Sequence, residues 1–296
     1  MSLDDWHFTQ DMDEFLARTG DFLRSRPVMH NTPLTTLAKM QAHGANAHGV
    51  NAHGVNAHGA EATVFGRLES GGEVRAIAYR TARGRLTATP LAPEQADTLA
   101  ARLTRLGHRI SGVTADQDTA AVFAEAWRRH QGAAPVRDWW GRLYRLGTLT
   151  PPEPAPQGRG RQAGERDHEH VMSWCREFAA DVGEAVTITA ESWAGTRFAE
   201  KRYTYWETPD GTPVSMAGAN PLVGGQVRVD PVYTPAGLRG RGYAGAVTVE
   251  VTRAALAAGA TEVVLFTNPA NTTSNALYQR IGYVPVTDFT GYAFSG

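Results

Sequence analysis

The chain has 296 residues, 42% of them hydrophobic and 20% charged, enough apolar material to bury the cores of two domains. A formal net charge of -1 argues against a nucleic-acid binder that neutralises phosphates along a groove, and a single cysteine, Cys175, excludes a disulfide framework within the chain. No apolar run approaches the ~20 residues of a membrane span, and the acidic start MSLDDWHFTQDMDEF has no signal-peptide core, so a cytoplasmic protein with no nucleic-acid or membrane partner is expected.

In chain order, Asp11 to Arg24 spaces Met12, Phe15, Leu16, Phe22 and Leu23 along one helix face. Four pentads follow from His43 to Ala62, HGANA HGVNA HGVNA HGAEA. A helix would turn successive histidines by about 140° and a strand would alternate them, so neither lines up one face. Four pentads are also too few for a stacked coil. A surface loop is the simplest reading, although flexible imidazoles could collect zinc, copper or nickel weakly. Strands are expected at Ala62–Leu68, Val74–Tyr79 and Arg85–Thr89, separated by the hairpin signals SGGE and ARG. Then come a helix at Pro93–Leu106, a strand at Ile110–Val113, a helix at Asp118–His130 and a closing strand at Arg142–Leu149.

Residues 151–165 open with PPEPAPQGRGRQAG, which lacks an apolar anchor and reads as a linker between residues 1–150 and 166–296. Beyond it, helices are expected at His168–Val182 and Ala190–Glu200, and strands at Arg202–Glu207, Val214–Ala219 and Gln226–Thr234. A helix at Tyr243–Ala258, a strand at Glu262–Thr267, a helix at Thr272–Ile281 and strands near Tyr283–Val286 and Phe289–Phe294 complete the chain. Both halves share one order of elements, so the expected fold class is α+β, two tandem domains each with a mixed, mostly antiparallel sheet flanked by helices.

The strongest local signal is VDPVYTPAGLRGRGYAGA, Val229 to Ala246. A strand enters a loop holding Gly240, Gly242 and Gly245, and a helix starts at once. Glycines let backbone N–H groups approach an anion, and the helix N-terminus favours negative charge. Arg239 and Arg241 add positive charge. No Gly-Lys-Ser/Thr follows, so this is not a Walker loop. Because the preceding strands come from hairpins, it is not the dinucleotide fingerprint either.

The loop resembles the acetyl-CoA motif of the GCN5-related N-acetyltransferases (GNAT), (Gln/Arg)-x-x-Gly-x-(Gly/Ala), matched by Arg239, Gly242 and Ala244. A second signature, Asn-x-x-(Ala/Ser)-x-x-x-Tyr-x-x-x-Gly-(Phe/Tyr), is matched by Asn271, Ser274, Tyr278, Gly282 and Tyr283 in NTTSNALYQRIGY. The resemblance covers about Asp167 to Gly296 and is closest in kind to two-domain actinobacterial members, whose first copy is degenerate. In LTATPLAPEQADTLAARL, the matching stretch of the first half, glycines are missing from the loop, and prolines and Glu94 stand in their place. That copy is therefore expected not to bind the cofactor.

The resemblance implies acetyl-CoA, or another acyl-CoA, as co-substrate, and no metal. It places the pantetheine arm along Val232, Tyr233 and Thr234, and the pyrophosphate on Arg239, Gly240, Arg241, Gly242, Tyr243 and Ala244. Asn271 would order a helix start or touch the pantetheine. Tyr278 would contact the cofactor and return a proton to the leaving thiolate. Pro231 suggests a bulge beside this segment. Asp230 is the best-placed carboxylate to take the proton of the amine, ahead of Glu191, Glu200 and Glu207. Cys175, on the apolar side of a helix, is expected to be structural, and Asp167 to His170 to be a cap and polar first turn. The function expected is N-acetylation of a primary amine by direct attack in a ternary complex. The acceptor would be a small molecule and the protein a monomer or homodimer. A non-catalytic acyl-CoA sensor is the alternative, and a metal buffer centred on the pentads a weaker one.

Overall fold

The computed structural model describes residues 5–43 and 62–295. Strand β1, Asp5–Thr9, leads into helix α1, Met12–Ser25, where Asp11 accepts the Glu14 N–H at 3.0 Å. Asp13, Glu14 and Arg24 complement the helix dipole at its two ends. Helix α2, Asn31–His43, buries Leu34, Leu37 and Met40. The pentad histidines other than His43 lie outside the described residues.

Strands β2, Val64–Ser70, β3, Glu73–Arg80, and β4, Arg85–Ala88, form the expected hairpins. Helix α3, Pro93–Arg105, strand β5, Gly112–Asp116, and helix α4, Gln117–Gln131, follow. Strand β6 covers Ala134–Leu146 and starts well before the expected Arg142.

Within the stretch expected as a linker, Arg159–Gln162 forms strand β7. Helix α5 spans His168–Asp181. The helix expected at Ala190–Glu200 is absent, and only a single turn at Trp193–Gly195 forms there. The hydroxyls of Thr189 and Ser192 bond to nearby backbone, drawing it into turns rather than a helix. Strands β8, Arg202–Glu207, β9, Pro213–Ala219, and β10, Gln226–Tyr233, precede helix α6, Tyr243–Ala257. Strand β11, Glu262–Thr267, helix α7, Thr272–Arg280, and one long strand β12, Tyr283–Ser295, end the chain.

These elements form two compact units, and neither is a continuous half of the chain. The first contains the described residues up to Arg142 together with 287–295. Its sheet runs β1-β2-β3-β4-β5-β12, antiparallel except for the parallel β4–β5 pair. Phe289–Ala293 of β12 fills the edge of β5, and Asp288 receives Arg142 Nε at 2.7 Å and the Trp140 indole at 3.1 Å. Leu68, Leu99, Leu103, Phe123 and Trp127 make its core.

The second unit is Leu143–Val286. Its sheet runs β11-β10-β9-β8-β7, with the end of β6 beside β11. Helix α6 packs on this sheet through Val247, Val249 and Val251, in one cluster with Ile281 and Tyr283, while α5 covers Tyr203, Tyr205, Met216 and Tyr233. A cut at 151–165 therefore does not describe the units. Residues 143–150 pack with the second unit and 287–295 with the first, because each sheet leaves an edge that a strand end can pair.

Candidate functional site

Two irregularities interrupt the second sheet along β10. Along β9 and β10, Val229 pairs with Ala219 and Val232 with Ala217, so β10 carries one extra residue at Asp230–Pro231. This is the bulge expected at Pro231. On the other side, the parallel pairs of β10 and β11 end at Val229–Leu265, although β10 continues to Tyr233 and β11 to Thr267. Backbone groups of Val232 to Thr234 thus lie past the end of the ladder. The side chains there are engaged: the Tyr233 hydroxyl donates to Glu177 at 2.6 Å, and Thr234 Oγ1 and Ser215 Oγ lie 2.8 Å apart. Half-buried Val232 packs on the core.

The loop into α6 turns on Gly240 and Gly242, at φ +78° and +82°, a region that disfavours other residues. Gly242 is the N-cap of α6 and offers no side-chain cap. Among the described residues, no acceptor meets the N–H groups of residues 240–245. This is an uncapped helix start with free donors, suited to a pyrophosphate. Arg239 Nε donates to Thr234 O at 2.9 Å, and its guanidinium pairs with Asp181 at the end of α5. The exposed Arg241 bonds to Gly237 O at 3.3 Å. Half-buried Tyr243 and Ala244 begin the helix.

Asn271 caps α7, its Oδ1 accepting the Ser274 N–H at 3.0 Å, and so orders the start of that helix. About two turns on, Tyr278 is 8% exposed, with its ring edge-on to Tyr283. It packs in the cluster that holds Val229 and Leu265, the last pair of the β10–β11 ladder. Burial raises its pKa above the usual phenol value, and its hydroxyl has no hydrogen-bond partner among the described residues.

The proposed base needs correction. Asp230 Oδ2 accepts from Arg197 Nη1 at 2.6 Å and from the ammonium of Lys201. Burial opposes its charge, but Arg197 and Lys201 outweigh this and hold the carboxyl far below its ordinary pKa. A carboxylate so stabilised is a poor proton acceptor. Glu207 is also engaged, by Arg161 at 2.5 Å. Cys175 is buried beside the Tyr203 hydroxyl, and burial pushes its thiol up to about 11, which suits a structural cysteine. Asp167 binds Arg161 and the Gly164 N–H instead of capping α5. No cluster able to hold a metal occurs among the described residues.

Sequence reasoning missed Glu177, Asp181, Arg197 and Lys201. One signal was available: the chain has two lysines, Lys39 and Lys201, among 29 basic residues.

The matching region of the first unit lacks the bulge. The β3–β4 pairs run unbroken from Ala78–Ala88 to Arg80–Leu86. Two donors there are occupied, Leu91 N–H by Thr119 Oγ1 at 2.9 Å and Ala92 N–H by Gln95 Oε1 at 3.0 Å. Pro93 and Glu94 then start α3.

Residues 168–283 match the acetyltransferase (GNAT) family. Among solved structures, a GCN5-related N-acetyltransferase from Sphaerobacter thermophilus is 15% identical, covering 99% of this chain and 96% of that one, at TM-score 0.54. An acetyltransferase of the GNAT family from Colwellia psychrerythraea is 12% identical, covering 98% and 100%, at TM-score 0.58. A tandem GNAT protein from the clavulanic acid biosynthesis pathway is 13% identical, covering 99% of each chain, at TM-score 0.53. At these identities the likeness is one of fold: α+β, with two tandem GNAT-like units. No curated protein matches the sequence.

Proposed function

Starting from a chain whose residues 168–283 match the acetyltransferase (GNAT) family, we propose that it is an acyl-CoA-dependent N-acetyltransferase whose working site lies in the second unit. The observation that carries this reading is the pairing of two features. An uncapped glycine loop opens α6, and the β10–β11 ladder stops just before it. The loop's free N–H groups and Arg239 suit a pyrophosphate, and the open edge of β10 from Val232 to Thr234 suits the amides of pantetheine. In the first unit the unbulged pairing and the Pro93–Glu94 start of α3 support a single cofactor site per chain.

In this reading the neutral amine attacks the thioester carbonyl, a C–N bond forms and the C–S bond breaks. Tyr278 gives its phenolic proton to the departing thiolate, and the proton shed by the amine returns through solvent to the phenolate. A phenol above its usual pKa is a weak acid for an ordinary thiolate. The same dry surroundings raise the thiolate's basicity, which narrows the gap. With Asp230 held by two cations, no side-chain base is assigned. The near-neutral chain favours a small primary amine as acceptor.

The test is thiol release from acetyl-CoA across a panel of amino acids, polyamines and aminoglycosides. At least one amine should accelerate release well above buffer. A chain that binds acetyl-CoA but transfers to no amine would point to the sensor reading.

A further inference from the structure

A bulge leaves its extra residue outside the ladder, so the carbonyl of half-buried Asp230 needs a donor from elsewhere. Lys201 supplies it. Its Nζ lies 2.8 Å from Asp230 O and also bonds the Asp230 carboxylate. The Lys201 side chain is only 2% exposed. Arg197 closes the arrangement, with Nη1 on Asp230 Oδ2 and Nη2 on Glu184 Oε2, each at 2.6 Å. Opposite the bulge, a Cβ on Gly218 would stand 2.7 Å from Asp230 O and 3.1 Å from Pro231 Cδ, so β9 leaves room for this backbone.

Two features make the arrangement more than a buried ion pair. The ammonium grips main chain and side chain of one residue, which fixes the peptide itself. A chain that otherwise uses arginine almost throughout has a lysine here, and its compact ammonium serves both oxygens from a single nitrogen. Pro231 has no N–H, so Val232 is the first residue past the bulge able to offer one toward a thioester carbonyl.

We infer that Lys201, braced by Arg197, is a positioning residue that clamps Asp230 and thereby aims the Val232 peptide at the thioester carbonyl. This rests on the acetyl-CoA reading above. Asp230 is then the anchor of the clamp, not the base. A displacement of about 1 Å at such a donor can lower the rate about a hundredfold.

The test is infrared difference spectroscopy of acetyl-CoA labelled with 13C at the acetyl carbonyl, bound to the intact chain and to Lys201→Met, with calorimetry of CoA binding alongside. The intact chain should shift the carbonyl band below that of free acetyl-CoA. Lys201→Met should return the band toward the free value, bind CoA within about threefold of the intact chain, and release thiol roughly a hundredfold more slowly. A variant that keeps both the shift and the rate overturns the clamp and leaves the acetyltransferase reading intact. Binding without any shift in the intact chain also overturns it. Failure of the intact chain to bind acetyl-CoA overturns the acetyltransferase reading itself. If Lys201→Met does not fold, Arg197→Gln, on the half-exposed side of the cluster, is read by the same two measurements. A lost shift there supports the clamp, and a retained one overturns it.

Discussion

Gly282 and Thr148 meet backbone to backbone. Gly282 has φ +99°, a Cβ there would stand 1.8 Å from Thr148 O, and its own carbonyl accepts the Gly147 N–H at 2.8 Å. The glycine of the Gly-Tyr pair is thus demanded by the segment that follows β6 and crosses the end of α7. Gly282→Ala combines a disfavoured φ with overlap against rigid main chain, and should cost about 2–4 kcal/mol. Urea unfolding of the two proteins checks this, and a loss below about 1 kcal/mol would show that the crossing can relax.

Tyr278 is buried and its hydroxyl is unpartnered among the described residues. Tyr278→Phe should therefore leave acetyl-CoA affinity nearly unchanged while slowing thiol release about a hundredfold or more. Because phenylalanine fills the same space, an equal loss of binding would assign Tyr278 to packing instead.

Arg239 is shared between Thr234 O and Asp181. If the pyrophosphate draws on this guanidinium, Asp181 competes for it. The pair is about half exposed and so is weak. Asp181→Asn should accordingly tighten acetyl-CoA binding, by no more than about fivefold, with a reduced salt dependence. Calorimetric titrations at low and high salt would expose the opposite outcome, weaker binding, which would mean that Asp181 holds Arg239 in its working position.

How far the sequence carried this architecture depends on how local the cause was. Asp11, Asp116 and Asn271 cap their helices within three residues of themselves, and β8 and β11 start and stop where their apolar runs do. Strand β7 was invisible because Arg-Gly-Arg-Gln has no alternating apolar face, and it is a strand through its pairing with β8. The exchange of residues 143–150 and 287–295 between halves depends on partners more than a hundred residues away, beyond what periodicity reports. The turn on Gly240 and Gly242 and the bulge at Pro231 were legible from their residue types. Asp230 was misread as a base because spacing along β10 cannot show that Arg197 and Lys201, about thirty residues earlier, end beside it.

Burial lowers the Lys201 pKa from 10.5 to about 8, against the pull of Asp230. Below pH 8 the lysine carries its proton folded and unfolded. Between about 8 and 10.5 the unfolded chain binds a proton that the folded chain has released, so its contribution to stability rises with pH. The stability difference between the intact chain and Lys201→Met should move in favour of the intact chain over that interval. Asp230 acts at the other end: its folded pKa is depressed, so its stabilisation is present above about pH 4 and fades as the pH falls lower. Denaturation series at pH 3 to 10 on both proteins would reveal a flat difference between pH 8 and 10, which this assignment does not allow.

The most direct test of a single acetyl-CoA site in the second unit is calorimetric titration of the intact chain and Gly242→Asp with acetyl-CoA. Aspartate tolerates a positive φ better than most residues, so the variant should fold while placing a negative charge at the uncapped start of α6. The expected result is one binding site per chain in the intact protein and a loss of at least about a hundredfold in the variant. Equal binding by both proteins, or two sites per chain, would contradict the account.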